Sequence, residues 1–422
     1  MTRELFHRKA SEIILGGIFL LIFFSIRIAN ILIILFVINW LAGNSWKTWS
    51  WQKRDWLLLL IISPWILELV SVLYSTHMVI GLHQVEKRLA LLAVPFITLH
   101  SVNNAVKDRE TIFRVVTIST MLVTLYCLSV ALYNVLFRSG KMFYWEDFTQ
   151  PIILEPGYVS LMINIVSVWI ICESISKWNS LLPGRKIFYL SLIAYFGVIT
   201  FLLASKLHGV IFIVIVVIGV ILIYRSHVVS WKASVLIVAL LFAIGFSVSK
   251  SEIKERYAHI DNFAIPSFDA PDEEFNELTL RFTIFKCATY IIKENPIFGT
   301  GVGDVMAELQ SVYRNVDFKF GYNNAYDPHN QYLRVCLGTG FVGLALFLAT
   351  LITVLTMAFR SGDWLVVGFM IVFCSSFLFE SVLDRHSGIM IYAFFHSVLI
   401  FGIDDRIKAN AGSKIEPLVA NE

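Results

Sequence analysis

Charge is scarce in this chain. Only 15% of its 422 residues are Asp, Glu, Lys or Arg, whereas 57% are hydrophobic and the mean hydropathy is +0.73. A water-soluble fold with that composition has too little polar surface to cover its core. An excess of one sign is lacking as well. The 34 basic residues face 31 acidic ones, for a net charge of +3, which excludes the broad basic surface of a nucleic-acid binder. Cysteine is sparse and unpatterned: Cys127, Cys172, Cys287, Cys336 and Cys374 form no CxxC or ligand-like spacing, and packing accounts for them. Arg3, Arg8 and Lys9 precede an apolar run in the manner of a secretory signal, but no small-x-small cleavage site follows, so the run reads as an uncleaved first span. Internal repeats and low-complexity tracts are absent.

What the chain has in abundance is long apolar runs bounded by charge, Pro or Gly. Spans are expected near 12–25, 27–42, 56–75, 88–103, 111–136, 156–175, 187–204, 208–224, 232–249, 331–358, 364–382 and 388–403, about twelve in all. The joins around Ser25–Arg27 and Ser205–Lys206 are tight enough that each pair is also readable as one broken segment. The fold class is therefore an all-α polytopic membrane protein.

Sidedness follows from the basic residues of alternate loops, with the long 250–330 segment left out because long translocated stretches escape the rule. One side carries 17 Lys and Arg and the other 7, which places both termini in the cytoplasm and the 250–330 loop outside. Residues 404–422 are a polar cytoplasmic tail. Within the loop, Asp261 to Glu277 is acidic and contains Pro266 and Pro271, an irregular surface stretch. Leu278, Phe282, Phe285 and Thr289 then recur at helical spacing until Asn295-Pro296, predicting an amphipathic helix lying along the outer face.

Cations on the forbidden side need partners. Lys206 opens a span with no acid within ten residues, Lys87 and Arg88 open another, Arg385 follows Glu380 and Asp384, and Arg281 lies in the amphipathic helix. Two readings stand. Arg88 pairs with Glu86, and Arg385 with Glu380 or Asp384; or Lys206, Arg88, Arg281 and Arg385 form a site for an anionic ligand such as a phosphate or diphosphate.

Asp327-Pro328-His329-Asn330 leads into a long apolar run, so Asp327 reads as an N-cap, Pro328 as the first helical residue, and His329 as a member of the first turn. There the helix dipole disfavours the imidazolium and leaves a neutral ring able to accept a proton. Gly299, Gly301 and Gly303 imitate a nucleotide loop, but no strand precedes them; they read as a tight turn returning the chain toward His329. Gly338, Gly340 and Gly343 have small-residue spacing and read as close helix packing. No metal site is expected, because the ten histidines never pair with acids at ligand spacing on the outer side; Glu146 and Asp147 come nearest to one.

The ordered set Arg281, Asn295-Pro296-Ile297-Phe298-Gly299-Thr300-Gly301, His329-Asn330-Gln331-Tyr332-Leu333 and Gly338-Thr339-Gly340-Phe341-Val342-Gly343 resembles the O-antigen ligase and polymerase superfamily. Pro156-Gly157-Tyr158, Ser205-Lys206 and Glu380-Ser381 to Arg385 extend the likeness, and Glu86-Lys87-Arg88 with Glu380-Ser381…Asp384-Arg385 looks more like ligases than polymerases. The resemblance implies a GT-C-like, inverting, metal-independent glycosyltransferase without cofactor, embedded in the inner membrane of a Gram-negative cell with its site on the periplasmic face. Its donor would be a glycan on undecaprenyl diphosphate and its acceptor a hydroxyl of lipid A core. His329 matches the family's proposed general base and Arg281 a diphosphate-binding arginine. Lys206 stands where many members have Arg, and Lys offers a point charge without the bidentate fork. A polymerase with the same donor, a relative acting on a pilin hydroxyl, and a flippase of lipid-linked sugar are the competing readings. Against the last, ionisable residues are scarce at mid-span, Glu68 being the main exception.

Overall fold

The computed structural model describes residues 3–43, 55–100, 109–138, 144–225 and 265–400, which hold helices and loops and no strand. In chain order the main helices are α1 (Arg3–Leu21), α2 (Ile26–Ala42), α3 (Asp55–Ser71), α4 (Met78–Lys87), α5 (Ala90–His100), α6 (Arg109–Phe137), α7 (Pro156–Lys177), α8 (Pro183–Leu202), α9 (Lys206–Arg225), α10 (Glu277–Glu294), α11 (Val305–Asn315), α12 (Gln331–Ser361), α13 (Trp364–Phe377) and α14 (His386–Ile400). Helical segments Asp55–Tyr74, Arg109–Phe137, Pro156–Ser180, Pro183–Leu202 and Gln331–Ser361 are long and apolar enough to cross a membrane, and α2, α13, α14 and Lys206–Leu222 are shorter apolar helices. The protein is thus an all-α membrane protein. The expected span 232–249 and the tail 404–422 lie outside the described residues.

The chain divides into two compact units. The first holds Met1–Ser45, Ser101–Tyr257 and Asp363–Val372. In it, Ser25 is extended and its Oγ accepts from Ile28 N at 3.3 Å, capping α2. Arg3 Nη2 donates to Ala42 O at 2.7 Å and Asn39 Nδ2 to His7 O at 2.9 Å, so the start of α1 meets the end of α2 and the join is a hairpin. The join before Lys206 turns at Ala204, φ +48°. Helix α7 is the interior helix of this unit, and its Asn164 Nδ2 donates to His208 O of α9 at 3.1 Å.

The second unit holds Trp46–His100, Ala258–Gly362 and Phe373–Glu422. Helix α3 packs on α12. Pro64 has no N–H for the Leu60 carbonyl, and the hydroxyls of Ser63 at 2.7 Å and Thr350 at 3.0 Å donate to it instead. Helix α10 starts with a capping box, Asn276 Oδ1 accepting from Thr279 N at 3.0 Å while Thr279 Oγ1 accepts from Asn276 N at 2.9 Å. Its packed stripe is Thr279, Thr283, Ile284, Cys287, Ala288 and Ile291, against Val305, Leu309 and Tyr313 of α11 and Leu333 and Leu337 of α12. The stripe read from sequence lies on another side of the helix: Phe282 and Phe285 are 43% and 50% exposed, and the protein is met by smaller residues that let backbones approach.

The two glycine motifs form one interlock. Helix α12 breaks at Gly340, φ +66° and ψ −167°, which interrupts its own hydrogen-bond ladder. Residues 296–301 supply the missing partners: Thr300 N and Gly301 N donate to Leu337 O at 2.9 Å and Gly338 O at 3.0 Å, and Phe341 N and Val342 N donate to Pro296 O at 2.8 Å and Ile297 O at 3.2 Å. A Cβ on Gly340 would overlap the Ile297 carbonyl. The same loop grips the α3–α4 connection, where Asp304 accepts from Thr76 N at 2.6 Å and His77 N at 2.8 Å, and Val302 N donates to Ser71 Oγ at 3.1 Å. Helix α10 is thereby fixed against α12.

Candidate functional site

The first residues of α12 position the site. Asn330 is extended and its Oδ1 accepts from Leu333 N at 2.9 Å, so Asn330 is the N-cap. Asp327 is not the cap and Pro328 is not the first helical residue; Asp327 Oδ1 instead accepts from His329 N at 3.1 Å, holding His329 at φ +45° outside the helix. The expected neutral ring in the first turn, disfavoured as a cation by the dipole, therefore loses its basis. A non-glycine residue in the left-handed region is strained and persists only where its surroundings enforce it.

A second strand of chain is bolted to the same helix end. After α13 stops at Phe377, Asn330 Nδ2 donates to Leu378 O at 3.0 Å and Leu383 N donates to Gln331 Oε1 at 2.7 Å. That brings Glu380 Oε2 to 3.4 Å from His329 Nδ1, with Asp327 Oδ1 at 3.3 Å from the same nitrogen. One largely buried imidazole thus sits between two carboxylates.

Burial alone would lower the histidine's pKa; the Glu380 contact and the negative charges of Asp327 and Glu380 outweigh it and raise the pKa. For Asp327, burial dominates and pushes the carboxyl up, against the pull of His329. For Glu380, burial pushes up but the His329 contact and the charges of His329, Arg281 and Arg385 carry it below its usual value. In the tautomer whose Nδ1–H faces the carboxylates, Nε2 is the nitrogen left to take a proton.

Beside the trio lies a buried ionic network. Arg88 is 1% exposed, with Nη1 at 2.8 Å from Glu68 Oε2, an ion pair to Asp384 through Nη2, and Nε donating to Leu383 O at 2.9 Å. Arg334 Nε donates to Asp384 Oδ2 at 2.7 Å. Burial would raise the Asp384 pKa, but Arg334 and Arg88 hold it down at about 2.

Of the cations singled out in the sequence, Arg281 and Arg385 stand near enough for their charges to act on Glu380, and Arg281 also acts on His329. Arg281 is aimed by its Nη1, which donates to Glu277 O at 3.2 Å. Arg88 does not pair with Glu86; its guanidinium is engaged by Glu68 and Asp384, which leaves it little to offer an incoming anion. Lys206 opens α9 in the other unit. Arg334, the pairing of Glu68 with Arg88 and the flanking role of Asp327 were missed. Arg334 had a signal: it is a cation inside an apolar run, five residues past His329.

The histidines do meet acids, contrary to the reading from spacing. Asp327, His329 and Glu380 offer ligand atoms within 4.8 Å of one another and could hold a divalent cation. Linear spacing could not show it, because Glu380 lies beyond a whole helix pair.

Residues 189–348 match the family model described as O-antigen ligase. No curated protein matched the chain.

Proposed function

We propose that this chain is an O-antigen ligase, a reading supported by the match of residues 189–348 to the O-antigen ligase family model. It transfers a glycan from undecaprenyl diphosphate to a sugar hydroxyl of lipid A core, at the periplasmic face of the inner membrane, with inversion and without metal. The observation that carries the reading is His329 held between Asp327 and Glu380 beside the charge of Arg281. The acceptor O–H gives its proton to His329 Nε2, its oxygen forms the new bond to the anomeric carbon, and the bond to the diphosphate breaks with the electron pair leaving on the phosphate oxygen. Fixed cations stabilise that developing charge, so no acid is needed to protonate the leaving group. Arg281 and Arg385 serve the diphosphate. Arg88 serves by holding the 380–385 segment.

The test is reconstitution in nanodiscs with undecaprenyl-diphosphate glycan and, separately, lipid A core or a second lipid-linked glycan. Product on lipid A core supports the ligase; product only on the second lipid-linked glycan makes it a polymerase; movement of the donor across the bilayer with no new bond makes it a flippase. Activity should survive a chelator. Loss on chelation with recovery on adding a divalent ion would assign the Asp327–His329–Glu380 cluster to a metal. Arg281→Ala should raise the donor KM with little change in the acceptor KM, which donor and acceptor titrations separate.

The carboxylates also set a pH signature. Because the His329 pKa is raised, the base is lost as pH falls through a value above that of a free histidine, and the acid limb of kcat/KM lies above about 6.5. Glu380→Gln removes one raising group and leaves burial and Arg281 to oppose the cation, so the limb moves to lower pH. An unmoved limb would show that another group titrates.

A further inference from the structure

We propose that Tyr326 is the stacking platform for the acceptor's reactive sugar, an inference that rests on the glycosyl-transfer reading of the same site. The Tyr326 ring lies with its centroid 5.9 Å from that of His329, the group that receives the acceptor proton. The residue is half-buried. Rigid fixing distinguishes it from a loosely placed surface ring. Its N–H donates to Gly321 O at 3.3 Å, its carbonyl accepts from the hydroxyl of the fully buried Tyr313 at 3.2 Å, and its ring packs edge-on against Phe320 at 5.5 Å. Phe320 in turn stacks on Phe275 at 5.5 Å, within the core that joins α10, α11 and α12. The ring is therefore preorganised by the same packing that sets Arg281 and His329.

A pyranose has an apolar face of C–H groups and an equatorial rim of hydroxyls. An aromatic ring covers the face and leaves the rim free. A sugar lying on Tyr326 at van der Waals distance projects its rim sideways, toward the neighbouring imidazole, which needs its hydroxyl at about 2.6–3.2 Å. The exposed Asn323 is close to the platform in the chain, and its amide suits hydroxyl contacts. The diphosphate end of the donor is claimed by Arg281, so the ring next to the proton acceptor takes the other substrate.

The experiment uses the full chain in nanodiscs with Tyr326→Phe and Tyr326→Leu. Phe keeps the stacking face and Leu keeps apolar packing without it. Tyr326→Phe should transfer like the parent, whereas Tyr326→Leu should raise the acceptor KM roughly fivefold to tenfold with the donor KM unchanged. Saturation-transfer NMR with delipidated core oligosaccharide supplies a second readout independent of catalysis: ring protons of one sugar should be saturated in the parent and in Tyr326→Phe, and lose that saturation in Tyr326→Leu. An unchanged acceptor KM in Tyr326→Leu, or a rise confined to the donor KM, overturns the platform. If Tyr326→Leu does not fold, saturation of the oligosaccharide with parent and Tyr326→Phe protein decides, and its absence in both rejects the proposal. Failure of the parent to transfer to any acceptor would instead sink the ligase reading, and the NMR signal would still report on Tyr326.

Discussion

His329→Ala is expected to lower glycan transfer at least about a hundredfold, since positioned general-base catalysis contributes about 10²–10⁴-fold. In the proposed mechanism the loss should fall on kcat, because there the imidazole takes its proton in the transition state and the donor's charge is assigned to Arg281 and Arg385. Folding should survive. His329 lies outside α12, whose cap is Asn330, and the Gly340 interlock does not involve it. Alanine at φ +45° is less at ease than histidine, so a small drop in thermal stability is expected alongside. Initial rates with both substrates saturating, together with a melting curve of the same sample, separate the two effects. Turnover at the parental rate would remove His329 from the mechanism. An equal loss in Asn330→Ala, with the cap broken, would point to helix placement and not to the imidazole.

Asp384→Ala should be the most damaging change to stability near the site. Two buried guanidinium groups, Arg88 and Arg334, share this carboxylate, and Glu68 reaches only Arg88. Removing one partner of a buried ion pair costs about 3–5 kcal/mol, because the remaining charge is stranded away from water. Since Asp384 is held at about 2, below its unfolded value of about 3.9, its contribution is complete above the unfolded value and is lost as pH falls through the folded one. The network is then insensitive to pH across the working range of the histidine. Thermal unfolding in detergent checks the size. Adding Arg334→Met to Asp384→Asn should recover part of the loss, because the cost comes from unpaired charge; a fully additive double mutant would argue that the residues do not share a network. Activity should fall as well, through displacement of the 380–385 segment and of Glu380 with it.

Much was legible in the residues alone. Hydropathy pointed to a polytopic helical membrane protein, and Arg281, Asn295 to Gly301 and His329 to Leu333 pointed to a likeness to the O-antigen ligase family, whose model residues 189–348 match, because these signals are local. Solvent preference is a property of each residue, and a motif is a string. The cap of α12 was misplaced by a few residues because Asp327 and Asn330 are both good caps, and only the hydrogen bonds say which one serves. The stripe of α10 that packs on protein, with Thr283, Cys287 and Ala288, is distinct from the Phe282 and Phe285 stripe read from the sequence, because hydropathy alone does not say which apolar face meets protein.

What only the tertiary structure decided is which groups share a space. Glu380 meets His329 across 51 residues, Arg88 meets Asp384 across 296, and the Pro296 to Gly301 loop replaces the broken turn of α12. The sequence by itself determined the solvent and a resemblance to a family; the pairing of His329 with its carboxylates and the raised basicity of the ring depend on electrostatic contacts, which fall off with separation in space and not along the chain.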